Sequence, residues 1–383
     1  MTAVIITGNK YPKEDAGAIR QHATAKILHE LGYDVLVLGY GKPTGHKTNR
    51  YEEIEYISFR PATGNTAIRA IFRYFFINRA AHYIKKHIKK IDVLLVVDAL
   101  PKDFRIIGKI AAQYHAKLVH DSVEWYSPEE FAEGSRNRSY LNKEYTNTKA
   151  IGKGWRVIAI SKYLQAHFQS RCDRVVRMPV IMDIISIPAK IDVCNDKTVF
   201  VYAGGPGKKD YLATMIQAFS LLSKEKRNQA KLHIVGVSRE QLISQCGVDQ
   251  HLVDDLGDML EVHGRVSHDE AVAFVQNANY TILIRDETLR YAKAGFPTKV
   301  VESMACGTPV LCNLSSDLRD YLTDKENAII ASGHKPEDVH QAILSAMMVD
   351  TKEYRQMRVN ARVTAEKFFD YRSYIQIVGD LLQ

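Results

Sequence analysis

The 383-residue sequence lacks the cysteine spacing and the long apolar segments that define several common protein classes, and its start does not have the pattern expected of a leader peptide. Its five cysteines are an odd number, and no two of them have the C-x-x-C spacing of a zinc or redox site. No uninterrupted apolar run is long enough to cross a bilayer, and the start "MTAVIITGNKYPK" lacks the basic segment and cleavage site of a signal peptide. These absences argue against a disulfide framework, a zinc site and a membrane-spanning protein, and predict reduced thiols in a cytoplasm.

Two glycine-rich nucleotide-binding signatures are also missing from the first strand and turn. The segment "ITGNKYPKEDAGAIR" contains Gly8 and Gly17, but it has neither the G-x-G-x-x-G pattern nor a P-loop. The first absence argues against a classical nicotinamide-dependent oxidoreductase. Gly17 precedes a predicted helix, where it either lets a ligand approach the backbone or is an ordinary loop glycine.

Negative charge is scarce in the first half of the sequence. The net charge is +12 over residues 1–190 and −4 over residues 191–383, and residues 56–91 contain no Asp or Glu at all. Aromatic residues are interleaved with basic ones between residues 69 and 90. This pattern predicts attraction to an anionic membrane surface or a lipid diphosphate, or else a partly buried helix with a solvated basic face. No nucleic-acid-binding module accompanies it. The seven basic residues are Arg69, Arg73, Arg79, Lys85, Lys86, Lys89 and Lys90.

Runs of Val, Ile and Leu alternate with helical patterns from one end of the sequence to the other. They include "AVIITG", "DVLVLGY" and "DVLLVVDAL" in the first half, and "KTVFVYAGG", "AKLHIVGV" and "YTILIRD" in the second. Such strands are typical of buried parallel sheets, and the alternation predicts doubly wound α/β domains. The pattern breaks between residues 177 and 196, which contain two prolines and predict an interdomain connection.

The sequence therefore predicts two Rossmann-like domains, residues 1–180 and residues 195–365. Residues 366–383 form a C-terminal helix that could pack back on the first domain. The strand ends of the two domains are expected to face each other across a cleft, because open α/β sheets bind ligands at the carboxyl ends of their strands.

Two turns in the second half could contact an anionic ligand. In "VYAGGPGKKDYL", a strand leads into Gly204 and Gly205, and the lysine pair Lys208 and Lys209 follows. Glycines let a phosphate reach the main chain, and a lysine at the turn can neutralise it; an exposed lysine pair is equally typical of a solvated surface. In "EVHGRV", the backbone around Arg265 and Val266 could contact a planar base, and a plain surface turn is the alternative.

A third segment, "FPTKVVESMACGTPV", begins as a helix near Pro297 and Thr298 and ends at Gly307. Its apolar stripe predicts a buried helix. Glu302 interrupts this stripe close to the start of the helix, beside Lys299. The position suggests that the carboxylate has a ligand to bind.

In this order, these segments resemble the retaining glycosyltransferases of the GT-B fold, in particular glycosyltransferase family 4 (glycosyl transferases group 1). The resemblance covers nearly the whole chain and includes "AISKYL", "RMPVIMDI" and the N-terminal strand and helix. It implies transfer of a hexose from a nucleotide diphosphate sugar, with retention of configuration and without a metal ion or other cofactor. The first domain would bind a glycan or lipid-linked acceptor and the second the nucleotide sugar. A role in bacterial surface polysaccharide synthesis follows, in the cytoplasm or peripherally at the inner face of the membrane.

The resemblance also assigns roles to residues of the second domain. Glu302 matches the second Glu of an E-x7-E motif, which binds the ribose hydroxyls, and the amides near Thr298 and Lys299 would hold the pyrophosphate. The first Glu of the motif is replaced by Ala294, so Gly295, Phe296 or the "RDETLR" loop must contact the sugar. Gly205 stands where the family often has Arg, so Lys209 or Lys208 must neutralise more of the diphosphate charge.

In the first domain, "KLVHDS" places His120 and Asp121 at a strand end. The resemblance implies that one of them contacts the donor sugar or the acceptor hydroxyl, while Asp121 could instead cap the next turn. Two other functions stay open. The missing Glu at residue 294 fits a catalytically degenerate module that only binds a nucleotide sugar. A nucleotide-sugar epimerase has a similar two-domain shape, but it would need acid/base carboxylates or histidines in the cleft.

Overall fold

A computed structural model describes residues 1–41, 47–59 and 66–383 of the chain. The chain divides into two compact units. The first consists of Met1–Asp183 and Asp370–Gln383, and the second of Ile184–Phe369. The division at Asp183 falls within the proline-containing segment that the sequence marks as a connection.

The first unit is built on a sheet with the order β3-β4-β2-β1-β5-β6-β7-β8 in the described residues. All neighbouring strands are parallel except β3 and β4. The strands are β1 Thr2–Lys10, β2 Asp34–Tyr40, β3 Asn49–Tyr51, β4 Ile54–Ser58, β5 Val93–Val96, β6 Lys117–Ser122, β7 Trp155–Ala159 and β8 Arg174–Arg177. The helices are α1 Ala16–Glu30, α2 Thr66–Tyr74, α3 Phe76–His87, α4 Asp103–Tyr114, α5 Arg138–Tyr145, α6 Lys162–Gln169 and α16 Ile375–Leu382.

The C-terminal residues complete the core of this unit. Val378, Leu381 and Leu382 are buried in the same apolar cluster as Ile5 of β1 and Leu28 of α1. Each fully buried aliphatic side chain contributes about 1.5–3 kcal/mol relative to an exposed one. Helix α16 is therefore an integral part of the first unit. The sequence predicts one C-terminal helix over residues 366–383, but residues 366–369 belong to the second unit, where α15 ends at Phe368.

The basic stretch of the first unit forms two helices, α2 and α3, where the sequence predicts one long helical segment. They meet at Phe75, and Phe76, Ile77, Ala80 and Ile84 form the buried face of α3. The side chain of Arg69 lies outside the described residues. Within the described part of the chain, no helix is both long enough and apolar enough to span a bilayer.

The second unit contains a parallel sheet with the order β11-β10-β9-β12-β13-β14 in the described residues. This is the Rossmann order 3-2-1-4-5-6, in which the winding direction reverses between the first and fourth strands. The strands are β9 Thr198–Ala203, β10 Ala230–Val235, β11 Leu260–Gly264, β12 Tyr280–Leu283, β13 Val310–Asn313 and β14 Ala328–Ala331. The helices are α7 Leu212–Ser220, α8 Lys224–Asn228, α9 Arg239–Ser244, α10 Gln250–Asp255, α11 His268–Asn277, α12 Arg290–Ala294, α13 Thr298–Ala305, α14 Pro336–Met347 and α15 Thr351–Phe368.

Helix α13 begins and ends where its sequence predicts. Pro297 precedes its first residue, and Gly307 follows its last turn with a φ of 75°, a left-handed conformation that suits glycine. The amide of Thr308 then donates to the carbonyl of Ser303 (2.9 Å). The start of α13 thus lies on the connection that follows β12, next to the switch point between β9 and β12.

Candidate functional site

The switch point of the second unit carries the glycine loop after β9. A Cβ atom on Gly204 would collide with the side chain of Lys299, whose Nζ would lie 2.8 Å away. The Lys299 ammonium group therefore lies directly over the backbone of this loop. At Gly205 a Cβ atom would meet no described atom within 4 Å. The loop thus combines a positive charge with an open backbone, the arrangement that suits a phosphate.

A buried ionic cluster holds Lys299 in this position. Lys299 Nζ donates to Asp210 Oδ2 (2.8 Å), and Arg285 Nε donates to Asp210 Oδ1 (2.8 Å). The hydroxyl of Tyr202 also donates to Asp210 Oδ2 (3.1 Å). Burial alone would raise the pKa of Asp210, but the positive charges of Arg285 and Lys299 outweigh it and hold this pKa below its usual range. The cluster therefore retains a buried carboxylate between two cations.

Glu302 lies five residues into α13 and differs from Asp210 in having no partner. Its carboxylate makes no hydrogen bond or ion pair with any residue that the structure describes. It lines a cavity of about 20 Å³ together with Lys299, Val201 and Leu283. Burial raises the pKa of Glu302, although the positive charges of Lys299 and His268 oppose this shift. Glu302 is partly buried. A carboxylate without a partner is costly to remove from water, and carboxylates with a shifted pKa cluster at functional sites.

The lysine pair after the glycine loop is divided between solvent and protein. Lys208 is exposed, whereas Lys209 is partly buried. The Nζ atom of Lys209 lies 5.7 Å from the ring centroid of Tyr291, and the Tyr291 hydroxyl donates to the Lys209 carbonyl (2.9 Å). Lys209 is therefore the more firmly positioned of the two lysines.

The turn after β11 is fixed to the loop that follows β10. Gly264 has a φ of 62°, and its carbonyl accepts from the amide of Gly236 (2.7 Å). Arg265, the next residue, is exposed and makes no hydrogen bond or ion pair with the described residues. Val266 packs against the apolar cluster that contains Val201. The turn thus presents the Arg265 guanidinium to solvent on an anchored backbone.

The segment before α13 is largely buried, although the sequence predicts that it contacts the donor sugar. Phe296 is only 6% exposed, and its ring contacts the rings of Tyr321 and Phe369. Gly295 follows the last residue of α12, and its amide donates to the carbonyl of Tyr291 (2.9 Å). Contacts of Gly295 and Phe296 with a donor sugar stay a prediction. The core position of Phe296 does not favour a contact between its side chain and the sugar.

Two carboxylates follow β12 in the "RDETLR" loop. Asp286 accepts from the hydroxyl of Tyr211 (3.2 Å). Glu287 accepts from Asn313 Nδ2 (2.6 Å) and lies 2.9 Å from Nδ1 of His334. These polar groups gather at the carboxyl ends of β12, β13 and β14, the edge of the sheet where ligands bind.

In the first unit, Asp121 is completely buried in an ion pair. Its two carboxylate oxygens accept from Nε (3.0 Å) and Nη2 (2.8 Å) of Arg20. The guanidinium of Arg20 also donates to the carbonyls of Met178 and Pro179. Both oxygens of Asp121 are thus used within the fold. Its contact with a substrate stays a prediction, and the geometry favours a positioning role.

His120 is also buried, with 1% of its surface exposed. Its Nδ1 lies 3.0 Å from the carbonyl of Val96, and its ring contacts Trp155 and Phe168. Burial, together with the charge of Lys143, lowers the pKa of His120 to about 4, so the imidazole is neutral at pH 7. Its Nε2 has no hydrogen-bond partner within the described part of the chain.

The space at Gly17 is already filled by another side chain. A Cβ atom on Gly17 would collide with the amide group of Asn9, which donates to Gln21 Oε1 (2.6 Å). Asp15 caps the same helix by accepting from the amide of Ala18 (2.8 Å). The glycine is therefore required by the packing of Asn9, and its contact with a ligand stays a prediction.

Sequence reasoning missed Asp210 and Arg285 and named Lys299 only for its amide. The partners of Asp210 lie 75 and 89 residues away along the chain. Their only local signal is the aspartate that follows the lysine pair, which by itself resembles any surface charge.

Comparison with known proteins supports the fold and shows which family the second half of the chain is similar to. Residues 183–364 match the family model described as glycosyl transferases group 1. An uncharacterized glycosyltransferase of Methanocaldococcus jannaschii is 28% identical over 111 residues, which is 28% of this chain and 29% of that relative. The match thus spans less than a third of that relative's length.

Two solved structures are similar over the whole chain. Sucrose-phosphate synthase from Thermosynechococcus elongatus has a TM-score of 0.75 and 16% identity, covering 99% of this chain and 98% of that one. HepE from Anabaena, in complex with UDP and glucose, has a TM-score of 0.67 and 14% identity, covering 100% and 99%. These likenesses confirm the predicted GT-B fold of two Rossmann-like units.

Proposed function

The chain carries a glycosyl transferases group 1 domain over residues 183–364, and from this premise we propose that it is a retaining glycosyltransferase. Its donor is a nucleotide diphosphate sugar, and its acceptor is a glycan or a lipid-linked glycan. The observation that carries the proposal is the carboxylate of Glu302, which has no partner among the described residues and lines one cavity with Lys299 at the switch point. A biological role in bacterial surface polysaccharide synthesis is part of the proposal.

The donor is recognised at the start of α13. Glu302 accepts hydrogen bonds from the two ribose hydroxyls, which are charge-assisted and stronger than neutral ones. The pyrophosphate meets the free amides near Thr298 and Lys299, where the helix dipole favours negative charge. Arg265 and Val266 lie on the turn that contacts the base. UDP, which is bound to HepE from Anabaena, is the first nucleotide to test.

The diphosphate is neutralised by lysine side chains. Lys299 is held over Gly204 by Asp210, so a bound diphosphate would compete with Asp210 for its ammonium group. Lys209 supplies a second charge from the other side of the loop. Gly204 and Gly205 let the phosphate oxygens approach the backbone.

The acceptor hydroxyl attacks the sugar on the same face from which the leaving group departs. The bond between the anomeric carbon and the diphosphate oxygen breaks, and a bond to the acceptor oxygen forms on the same face. The acceptor proton passes to an oxygen of the departing diphosphate. The protein then contributes mainly electrostatic stabilisation of that leaving group, and neither a metal ion nor another cofactor is required.

The sugar contacts come from groups other than residue 294. Ala294 is completely buried and offers no polar atom, whereas Asp286 and Glu287 lie in the loop after β12. These carboxylates are the best candidates to accept hydrogen bonds from sugar hydroxyls. In the first unit, His120 and Asp121 act on the substrate through the backbone that they position.

The acceptor proposal rests on the exposed apolar residues of α2 and on Phe75, which follows this helix. Ile71, Tyr74 and Phe75 are each at least half exposed. Tyr74 and Phe75 line an open groove of about 480 Å³. An apolar wall beside lysines and arginines suits a molecule with a lipid tail and an anionic head group.

The same groove contains basic residues from the start of α4. Lys102, Arg105 and Lys109 line it together with the aromatic residues, and Lys102 Nζ lies 4.1 Å from the ring centroid of Tyr74. Elsewhere on this surface, Arg73 is paired with Asp98 (2.5 Å) and Lys90 with Asp92 (2.9 Å). We therefore propose that the membrane-facing charges are chiefly Lys85, Lys86 and Lys89, which are exposed.

Incubation of the full-length protein with a panel of nucleotide sugars tests the proposed reaction. Release of the free nucleoside diphosphate, accelerated by a glycan acceptor, is the expected result, and NMR of the product would report retention. Interconversion of the sugars would point to an epimerase. Tight binding without turnover would point to a binding module. Either of these two outcomes would overturn the proposal.

Sedimentation with vesicles tests the proposed membrane contact. Anionic vesicles should retain the protein at low salt, because each lysine near the surface contributes about 1 kcal/mol. Screening within about 10 Å at 0.1 M salt should weaken this binding. Substitution of Lys85, Lys86, Lys89 and Lys90 by Gln should abolish it and leave nucleotide affinity unchanged. Equal binding to neutral vesicles, or none to either kind, would instead indicate a solvated basic helix and a soluble acceptor.

A further inference from the structure

Three side chains with metal-ligating groups meet on neighbouring strands of the second unit. His233 of β10 is directly opposite Glu261 of β11 in the sheet register. His263 lies two residues further along β11, where the register with β10 shifts, and its ring centroid lies 5.1 Å from that of His233. All three belong to the described residues, and none of them has a role in the proposed transfer.

The three ligating atoms have the spacing of a tetrahedral site. His233 Nδ1 lies 2.9 Å from His263 Nε2 and 3.3 Å from Glu261 Oε2, and His263 Nε2 lies 3.7 Å from Glu261 Oε2. A tetrahedral zinc ion with bonds of about 2.0–2.2 Å holds its ligand atoms roughly 3.3–3.6 Å apart. The observed separations bracket this range, so only small side-chain movements would form the site.

The chemistry of the three side chains also suits a cation. Together they offer one carboxylate oxygen and two imidazole nitrogens as ligand atoms. Two His and one Glu are a ligand set that zinc enzymes use.

The surroundings hold the ligands in place. Lys231 Nζ bonds to Glu261 Oε1 (2.5 Å) and to the carbonyl of Asp258 (2.7 Å), which leaves Oε2 facing the histidines. The ring of Phe274 from α11 lies 4.5 Å from His263 and 5.4 Å from His233 between ring centroids. One side of the site is thus apolar, and a hydrogen-bonded lysine orients the carboxylate, as outer groups do in metal sites.

We propose that His233, Glu261 and His263 form a binding site for one divalent cation of the zinc type, with water in the remaining coordination position. The ion would link β10 to the edge strand β11. Since His263 directly precedes Gly264, it would also brace the turn that carries Arg265. This role is structural, and the ion takes no part in sugar transfer.

Zinc titration of the full-length, chelator-treated protein tests the proposal. Calorimetry should detect one Zn²⁺ site, and Zn²⁺ should raise the melting temperature, since a ligand that binds only the folded state stabilises it. Mg²⁺, which prefers oxygen ligands, should do neither. His263→Gln should weaken zinc binding by more than the roughly 10–100-fold that loss of an outer group costs.

Two further variants make the result specific. Glu261→Gln changes a half-exposed side chain without loss of volume, so it should fold normally and still lose zinc affinity. His251→Gln, which alters an exposed histidine of α10, should bind zinc like the wild type. The absorption of bound Co²⁺ should report a tetrahedral site in the wild type and His251→Gln only. Absence of zinc binding in the wild type, or wild-type zinc affinity in both His263→Gln and Glu261→Gln, would overturn the proposal.

Discussion

Two carboxylates, one in each unit, differ in how they are paired. In the first unit, Asp121 is buried and both its oxygens are bonded to Arg20. In the second unit, Glu302 lines an apolar cavity and has no partner among the described residues, and Arg265 is likewise unpaired among them. The second unit also has a paired carboxylate, Asp210, which is held between two cations. Carboxylates thus support folding in both units, and Glu302 stays available for a ligand.

This difference separates structural charges from candidate ligand-binding ones. A buried ion pair recovers much of its desolvation cost internally, so a third group gains little by binding to it. A partly buried carboxylate such as Glu302, without a partner among the described residues, recovers none of its desolvation cost until a ligand arrives. Position along the sequence, at a strand end for Asp121 and near the start of a helix for Glu302, does not distinguish these two cases.

The largest expected effect concerns the ion pair of the first unit. Asp121→Asn removes the charge that Arg20 faces, so it should destabilise the protein by about 3–5 kcal/mol. Chemical denaturation at pH 7 measures this loss, and the affinity for a nucleoside diphosphate should not change. The double variant Arg20→Met with Asp121→Leu should recover part of the stability. Full stability of Asp121→Asn combined with loss of transfer would show that Asp121 takes part in the reaction and is not a structural carboxylate.

The second effect follows from the buried imidazole of His120. Its pKa is about 4 in the folded chain and 6.5 in the unfolded one. Between these values only the unfolded chain gains the proton, so the free energy of unfolding should fall as the pH decreases from about 6.5 to about 4. At about 1.4 kcal/mol per unit the total loss is roughly 3 kcal/mol.

Denaturation at several pH values checks the His120 assignment. His120→Gln keeps an N–H donor for the carbonyl of Val96 but cannot titrate, so its stability should depend less steeply on pH over this interval. His251→Gln, an exposed control, should keep the wild-type dependence. Parallel curves for His120→Gln and wild type would show that the imidazole is not a buried neutral group.

Sequence reasoning predicted those features that depend on local pattern. The runs of Val and Ile predict the parallel strands, and Pro297 and Gly307 predict the two ends of α13. Glu302 was identified because a carboxylate stands out in an apolar stripe. The same reasoning places the break between domains within residues 177–196.

Features that depend on distant pairs could not be predicted. Arg20 and Asp121 are 101 residues apart, and Asp210 and Lys299 are 89 apart. No local spacing indicates which distant charges will pair. Local position can also mislead. Phe296 lies beside α13, which suggested a sugar contact, but its apolar ring is in the core.

The third effect tests the unpaired carboxylate of the second unit. Glu302→Gln should weaken nucleoside diphosphate binding by about 1.5–3 kcal/mol, because an amide cannot accept from both ribose hydroxyls as a carboxylate can. Burial raises the pKa of Glu302, so ionisation of this carboxyl opposes folding. The variant should therefore be at least as stable as the wild type.

Calorimetry and thermal unfolding of the same samples separate these two results. Glu240→Gln, a change at an exposed position in the first turn of α9, is the control and should alter neither quantity. Unchanged affinity in Glu302→Gln would remove this residue from the donor site. Lost stability would place it with Asp121 among the structural carboxylates.

The smallest expected effect distinguishes the two lysines after the glycine loop. Charge develops on the diphosphate as it departs, so Lys209→Ala should reduce kcat by roughly tenfold, about 1.4 kcal/mol, and change binding of the nucleotide less. Lys208→Ala is the matched control, since Lys208 is exposed whereas Lys209 is positioned against Tyr291. Steady-state kinetics with a saturating acceptor separate kcat from KM for both variants. A larger loss of kcat in Lys208→Ala would shift the assignment by one residue. Full activity of both would leave Lys299 as the cation that meets the diphosphate, because its ammonium group already lies over Gly204 and needs only to exchange Asp210 for a phosphate oxygen.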